Sequence, residues 1–209
     1  MGHRKKPMTS WRLIESPPAE IFFHMALDRE LFEKFAEDSQ ALPMLRIYRV
    51  TEPAVTVGRS WGSSLHNDEV CVRPTGGGLV RHGKDLIYSV IARRDSFPTF
   101  GRVRTSYLSF HEAVQEALVR LGIETRLFRC DEAKISRNLS ECFKEPVATD
   151  VLFEEKKIAG GGQWRRREGF LHQGSIQLLQ GISFEGMREA LKDAFERKFD
   201  IVWSSNGRN

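Results

Sequence analysis

The sequence predicts an α+β fold: a mixed, largely antiparallel sheet with helices packed on it. Three observations lead there. Apolar residues recur at helical spacing in three separate segments, 19–36, 105–121 and from Ser183 onward. Short strand-like runs cluster between those segments instead of alternating one for one with them, which excludes a strict βαβ order. No internal repeat or linker-like stretch divides the 209 residues, a length that suits a single core of good size.

Each element has its own signal. Met1–Ser10 carries the basic run His3-Arg4-Lys5-Lys6-Pro7 with no apolar stretch behind it, so residues 1–10 are expected to be a disordered tail and not a secretory signal. Trp11–Ile14 reads as a first strand. A helix over 19–36 follows, with Leu27, Leu31 and Phe35, and likewise Ile21 and Met25, at i, i+4 spacing. Leu45–Val50 alternates Leu45/Ile47 with Arg46/Tyr48, and Ala54–Gly58 is bounded by Pro53. Ser60–Asp68 has no periodicity and reads as a loop. Val70–Arg73 and Leu79–His82 flank a glycine-rich turn, and Asp85–Arg93 is a strand of large apolar residues. The helix at 105–121 ends where Gly122 can serve as its C-terminal cap. Ile123–Arg129 then reads as a strand and Asp131–Glu145 as a polar, irregular segment. Thr149–Glu154, Lys157–Ala159 running on past the glycines, and Phe170–Leu179 are further strands. Ser183 is placed to cap a final helix carrying Phe184, Met187, Leu191 and Phe195. Residues 11–209 are thus expected to form one domain.

Composition narrows the class. Apolar residues make up 40% and charged residues 29%, ordinary for a globular chain. No apolar run approaches the roughly 18–20 residues of a membrane span, so a cytoplasmic location and no membrane partner are expected. Cys71, Cys130 and Cys142 form no C-x-x-C pair, and their odd number suits a reducing compartment. Cys71 and Cys130 are assigned to packing. The six histidines are scattered, without H-E-x-x-H, and no metal site is expected. A net charge of +4, with a cluster at Arg165-Arg166-Arg167, suits an acidic protein or nucleic acid about equally. Trp164 beside those arginines could stack on a base. One short cluster with so modest a charge is more often a solvated hairpin or a dock for an acidic carrier domain, which argues against a non-catalytic nucleic-acid-binding module.

Three segments carry the chemistry. In Arg73-Pro74-Thr75-Gly76-Gly77-Gly78-Leu79-Val80-Arg81-His82, three glycines between two strands cost backbone entropy, so something must require bare backbone there. Such a loop brings N–H groups close to an anion or a thioester carbonyl, and Arg73 adds a charged donor. A ligand-free bulge is the plain alternative. The spacing matches neither G-x-x-x-x-G-K-[ST] nor G-x-G-x-x-G, because Arg81 stands at the last glycine position. In Lys157-Ile158-Ala159-Gly160-Gly161-Gly162-Gln163, a lysine precedes a second glycine triplet and can point its ammonium at a polarised carbonyl. A charged hairpin edge is the alternative. The third segment, Leu171-His172-Gln173-Gly174-Ser175-Ile176, sets polar residues inside an apolar strand, where a hydrogen-bonded core histidine is also possible.

Together these segments resemble the catalytic domain shared by lipoate–protein ligases, octanoyltransferases and biotin–protein ligases. The resemblance runs over about residues 11–200 and includes Trp11-Arg12-Leu13-Ile14, Met25-Ala26-Leu27-Asp28 and Asp85-Leu86-Ile87-Tyr88-Ser89. Val72, Gly83 and Gly161-Gly162 stand where that family usually has an arginine, an acidic residue and Ser-Ala. The resemblance implies a biotin/lipoate ligase-like fold and transfer of an octanoyl or lipoyl group to a carrier lysine. Lys157 would stabilise the acyl carbonyl. Arg73, Thr75, Gly76, Gly77, Gly78, His82, Tyr88, Asp150, Gly160, Gly161, Gly162, Gln163, His172, Gly174 and Ser175 would form the binding site.

Cys142-Phe143-Lys144-Glu145-Pro146 resembles the cysteine-dependent octanoyltransferase branch, which implies that Cys142 accepts the acyl group as a thioester. That chemistry needs no cofactor. Its implied partners are an acidic lipoyl carrier, the glycine-cleavage carrier or a dehydrogenase-complex lipoyl domain, with acyl carrier protein as donor. The alternative within the family is a ligase using ATP and Mg. Asp150, at an acidic position near the adenylate in such ligases, fits that alternative. Only ten residues follow Phe199, so no C-terminal accessory domain is expected, and a ligase would need a separate accessory chain.

Overall fold

The structure, a computed structural model, describes residues 9–61, 70–129 and 147–204. Its frame is an eight-stranded sheet. From one edge to the other it runs β11 (Ile201–Trp203), β1 (Thr9–Glu15), β2 (Met44–Tyr48), β6 (Asp85–Ala92), β10 (Phe170–Gln177), β9 (Lys156–Arg165), β8 (Val151–Phe153) and β7 (Arg126–Leu127). β1 runs parallel to both β2 and β11, and the remaining neighbours are antiparallel. A smaller sheet sets β3 (Ala54–Gly58) between β4 (Val70–Arg73) and β5 (Val80–His82). Among the described residues there are three helices: α1 (Ile21–Glu37), α2 (Val103–Arg120) and α3 (Phe184–Phe199). The expected mixed, mostly antiparallel sheet with packed helices is present.

The large sheet is covered on both faces, which is why every residue of β6 is buried and the strand reads as a continuous apolar run. Strand alternation divides its side chains. Leu86, Tyr88, Val90 and Ala92 join the core built with Phe110, Val114 and Leu118 of α2 and Leu191, Phe195 and Phe199 of α3. Ile87 and Ile91 face the other way, toward Ile21, Met25, Phe32 and Phe35 of α1 and Cys71 of the small sheet. α1 and the small sheet therefore share one face of the large sheet, and the cleft described below opens on that face.

The helix ends follow the sequence signals. Gly122 has φ +81°, and its amide donates to Val119 O while that of Ile123 donates to Leu118 O, both at 3.0 Å. This closes α2 in a Schellman turn. Ser183 Oγ accepts from the Gly186 amide at 3.0 Å and caps α3.

The structure differs from expectation at several element ends. Thr9 and Ser10 are not part of a tail: they pair with Ile201 and Val202 of β11, a strand too short to announce itself in sequence. Trp11 behind them is buried, with its ring stacked on Phe199 at 5.7 Å. The strand expected over 123–129 contracts to Arg126–Leu127, and Thr149 lies in a turn before β8. Arg46 and Tyr48, expected to alternate with a core face, are fully buried, because β2 is covered on both sides. Asp131–Glu145, most of the loop at 60–68, residues 1–8 and Cys130 fall outside the described residues.

Candidate functional site

A narrow cleft lies between the large sheet and the small one. Its floor is the glycine run of β9, Gly160–Gly162, beside Gln173, Gly174 and Ser175 of β10. Its walls come from Thr56, Arg73, Val80 and His82 of the small sheet, and from Met25 and Ile87. Lys157 stands at one side.

Lys157 reaches the cleft through irregular backbone. Val151 pairs with Ala159 but Leu152 with Lys157, so β9 holds one extra residue there and bulges. A two-residue hairpin, Glu154 (φ +46°) and Glu155 (φ +61°), joins β8 to β9 without the glycine such turns favour. Lys156 is exposed, whereas Lys157 turns inward and its Nζ lies 2.7 Å from Asp150 Oδ2. Both side chains are almost wholly buried, so Asp150 supplies the counter-charge that an enclosed ammonium requires.

The turn bearing Asp150 is strained. Asp150 N donates to Val147 O at 3.0 Å, and Asp150 Oδ2 accepts from the Val147 amide at 2.7 Å. Thr149, at the third position of this turn, has φ +79°. Glycine normally occupies that position, and a β-branched residue there stores on the order of 1–3 kcal/mol.

The glycines leave room for close approaches. A Cβ on Gly160 would lie 2.6 Å from Lys157 Cε and 2.7 Å from Asp150 Oδ1. One on Gly162 would lie 2.5 Å from Gly76 O, where the glycine-rich turn crosses the strand. Bare backbone is thus needed at Gly160 for the Lys157–Asp150 pair and at Gly162 for the crossing turn. Gly77 adds φ +100°, while Gly76 has open space around it. Arg73 stiffens the turn from inside: its Nη2 donates to Gly76 O and Gly78 O, each at 2.8 Å.

Two buried networks brace the cleft. In the first, His82 Nδ1 is 2.7 Å from Asp85 Oδ2, which also accepts from Ser175 Oγ at 2.6 Å, while His82 Nε2 is 2.9 Å from Thr56 Oγ1. Burial works to raise the Asp85 pKa, but the hydrogen bonds from His82, Ser175 and the Gly83 amide prevail and hold it below the usual carboxylate range. In the second, Asp28 accepts from Arg46, Tyr48, Ser89 and Gln173, and Gln173 Oε1 accepts from Thr75 Oγ1 at 2.8 Å. Sequence reasoning missed His24, Asp28 and Arg46 as a unit. The signal for it was a polar residue recurring on the inward face of α1.

Of the predicted residues, Arg73, His82, Lys157, Gly160, Gly161, Gly162, Gly174 and Ser175 line the cleft, and Thr75, Gly76 and Asp150 contact that lining through Gln173, Arg73 and Lys157. Three side chains do not. Tyr88, Gln163 and His172 belong to the opposite face of the sheet. There His172 Nε2 is 3.2 Å from Tyr88 Oη and its Nδ1 is 3.3 Å from Gln163 Nε2, under Phe110. The correction follows from strand alternation: in β10 the residues beside Gln173 and Ser175 must point away from the cleft. Burial drives the His172 pKa far down, so it is a neutral core histidine. Cys142 lies outside the described residues. Cys71 is buried, and loss of solvent pushes its thiol up to about 11, an inert packing group.

Beside the glycine turn the surface is basic. Arg59, whose amide donates to Thr75 O, lies over the Trp164 ring at 5.8 Å, and Arg166 lies over the same ring at 4.2 Å. Arg29, Glu33 and Pro74 line the same shallow concavity.

Residues 20–201 match the family model described as the lipoyl protein ligase A/B catalytic domain. Among curated proteins, the chain is 26% identical over 203 residues to octanoyltransferase LipM of Oceanobacillus iheyensis, covering 90% of this chain and 73% of that one. It is 30% identical over 185 residues to octanoyltransferase LipM of Kyrpidia tusciae, covering 82% and 67%. Among solved structures, the bi-partite lipoate protein ligase of Thermoplasma acidophilum superposes with a TM-score of 0.72 at 18% identity, covering 96% of this chain and 88% of that one. The last likeness bears on the fold.

Proposed function

Because the chain belongs to the lipoyl protein ligase A/B catalytic domain family, we propose that it carries an octanoyl group from a carrier-protein thioester to a lysine of a lipoyl domain. The observation that carries this reading is the enclosed Lys157–Asp150 pair, 2.7 Å apart, at the side of a cleft floored by bare glycine backbone. The ammonium offers N–H donors where an acyl oxygen gains charge. Met25, Val80 and Ile87 give the alkyl chain an apolar lining.

The reaction is two acyl transfers. Cys142 gives up its thiol proton and attacks the donor thioester, the carrier thiolate departs and takes up that proton, and an octanoyl-Cys142 thioester remains. The neutral amine of the acceptor lysine then attacks that thioester, the C–S bond breaks as the amide forms, and the proton lost from the amine returns to the Cys142 thiol. Lys157 donates to the oxyanion in both steps. No nucleotide is consumed. Curated relatives named octanoyltransferase support this branch. The donor is assigned to acyl carrier protein, and the acceptor to a lipoyl domain of the glycine-cleavage carrier or a dehydrogenase complex. Both would dock on the basic surface around Trp164, where Arg29, Arg59 and Arg166 complement an acidic partner.

The second reading, a lipoate ligase, would use ATP and Mg. Lys157 and Arg73 suit phosphate oxygens, but Asp150 Oδ2 is already engaged by Lys157 and the Val147 amide, so the fit is partial and no step is routed through a nucleotide.

Intact-mass spectrometry of a lipoyl domain separates the two. Octanoyl-carrier protein without ATP should acylate the domain, leave a transient adduct on the enzyme, and do neither with Cys142→Ala. Acylation only with free lipoate or octanoate and Mg-ATP, unaffected by Cys142→Ala, would establish the ligase instead.

A further inference from the structure

We propose that His111 of α2 is a positioning residue: it holds the strained turn that sets Asp150 against Lys157. The inference rests on Lys157 being the polarising lysine of the proposed reaction. His111 Nδ1 lies 2.7 Å from Thr149 O and 3.2 Å from Thr149 Oγ1, so one ring N–H grips residue 149 by both its oxygens. Thr149 is the residue with φ +79°, and the next residue is Asp150. A turn of this kind with threonine at the glycine position persists only when its surroundings over-determine it. His111 supplies that hold from across the sheet, 38 positions away in sequence. The backbone adds two bonds to the same place, Thr149 N to Phe128 O and Phe128 N to Asp150 O, each at 2.8 Å.

The state of the ring agrees with this role. His111 is buried against Tyr107 and His172, and its Nε2 has no hydrogen-bond partner among the described residues. A buried neutral imidazole has a single N–H. Placing it on Nδ1 serves the Thr149 carbonyl at the expense of the other nitrogen. Burial lowers the pKa of His111, with the field of Asp150 opposing it, so the ring stays neutral. The Tyr107 and His172 rings call only for an aromatic neighbour, whereas the two Thr149 oxygens call for a ring N–H.

The test is a double-mutant cycle of His111→Phe and Thr149→Gly. Phenylalanine keeps an aromatic ring beside Tyr107 and His172 and removes the donor; glycine adopts the left-handed conformation without being held. With His111→Phe alone, kcat for octanoyl transfer should fall about 10- to 100-fold, the scale of a misplaced catalytic group, while KM moves less than about twofold. The double variant should recover to within about threefold of Thr149→Gly, a coupling that a purely structural histidine would not show. A second readout needs no activity: trace acylation of amines, read by peptide mass spectrometry with exposed Lys156 as internal standard. Lys157 should become several-fold more reactive in His111→Phe and be protected again in the double variant.

Labelling that follows this pattern in a protein without transferase activity would sustain the positioning role and defeat the functional reading. Wild-type protection of Lys157 in His111→Phe, equal losses of kcat with and without Thr149→Gly, or a double variant that fails to fold would each overturn the inference.

Discussion

Asp28 Oδ1 lies 2.7 Å from Arg46 Nη1, and neither side chain is exposed to solvent. The pair ties α1 to the second strand of the large sheet. The carboxylate also accepts from Ser89 Oγ at 2.8 Å, and from Tyr48 Oη and Gln173 Nε2 at 2.7 Å each. Because Gln173 accepts from Thr75, the network ends at the glycine turn of the cleft. Removing Asp28 strands a buried guanidinium. Asp28→Ala should therefore cost about 3–5 kcal/mol in urea unfolding. Replacing Asp28 and Arg46 together by leucine and methionine should cost less than the sum of the single changes.

The two glycine triplets give a paired prediction. A methyl group at Gly162 meets Gly76 O at 2.5 Å and Thr75 Oγ1 at 3.0 Å, whereas one at Gly76 meets nothing within 4 Å. Gly162→Ala should destabilise the protein by about 1–3 kcal/mol, as overpacking does. Gly76→Ala should stay within about 0.5 kcal/mol of the parent. Thermal melts of the two variants read this directly.

Three buried histidines link stability to pH. Burial, reinforced by the Arg46 charge, lowers His24 to about 4. Burial likewise depresses His111 and His172. An unfolded histidine titrates near 6.5, so below that pH the unfolded chain binds protons that the native state refuses. Stability is then fully present above about pH 6.5 and is lost as pH falls toward the folded values. With three protons taken up, the slope reaches about 4 kcal/mol per pH unit. Urea midpoints between pH 7 and 5 should fall accordingly, and His24→Gln should flatten the slope by about one proton.

Arg59 and Arg166 flank Trp164 outside the cleft. The double change Arg59→Glu and Arg166→Glu should raise KM for an acyl-carrier donor about tenfold or more at low salt. Turnover of a small octanoyl thioester should be spared. The difference should shrink as ionic strength rises, because exposed charges are screened over roughly 10 Å at 0.1 M salt.

The glycine segments were legible because glycine triplets between strands are hard to justify without a close approach, and the structure shows one: the turn at Gly76 crosses the strand at Gly162. Lys157 was legible for a related reason, as the charge next to such a run. What the sequence could not settle was the side of the sheet. Tyr88, Gln163 and His172 lie in the right strands but face the helices α2 and α3. Alternation fixes which residues share a face without saying which face holds the cleft. His24, Asp28 and Arg46 were opaque because a satisfied buried charge looks like a surface charge until its partners are known. His111 was hidden inside a helix whose apolar pattern already accounted for it. The strand at 201–203 is three residues long and pairs with a segment nearly the whole described chain away, so no local pattern could reveal it.

That last pairing bears on how the molecule assembles. Thr9 meets Ile201 across 192 positions of sequence, and Trp11 stacks on Phe199 just before it. Closing so long a loop costs only modestly more entropy than closing a short one, since the penalty grows with the logarithm of length. The timing is another matter. On the ribosome, the edge of β1 has no partner until almost all of these residues have been made, and it stays open to other chains until then.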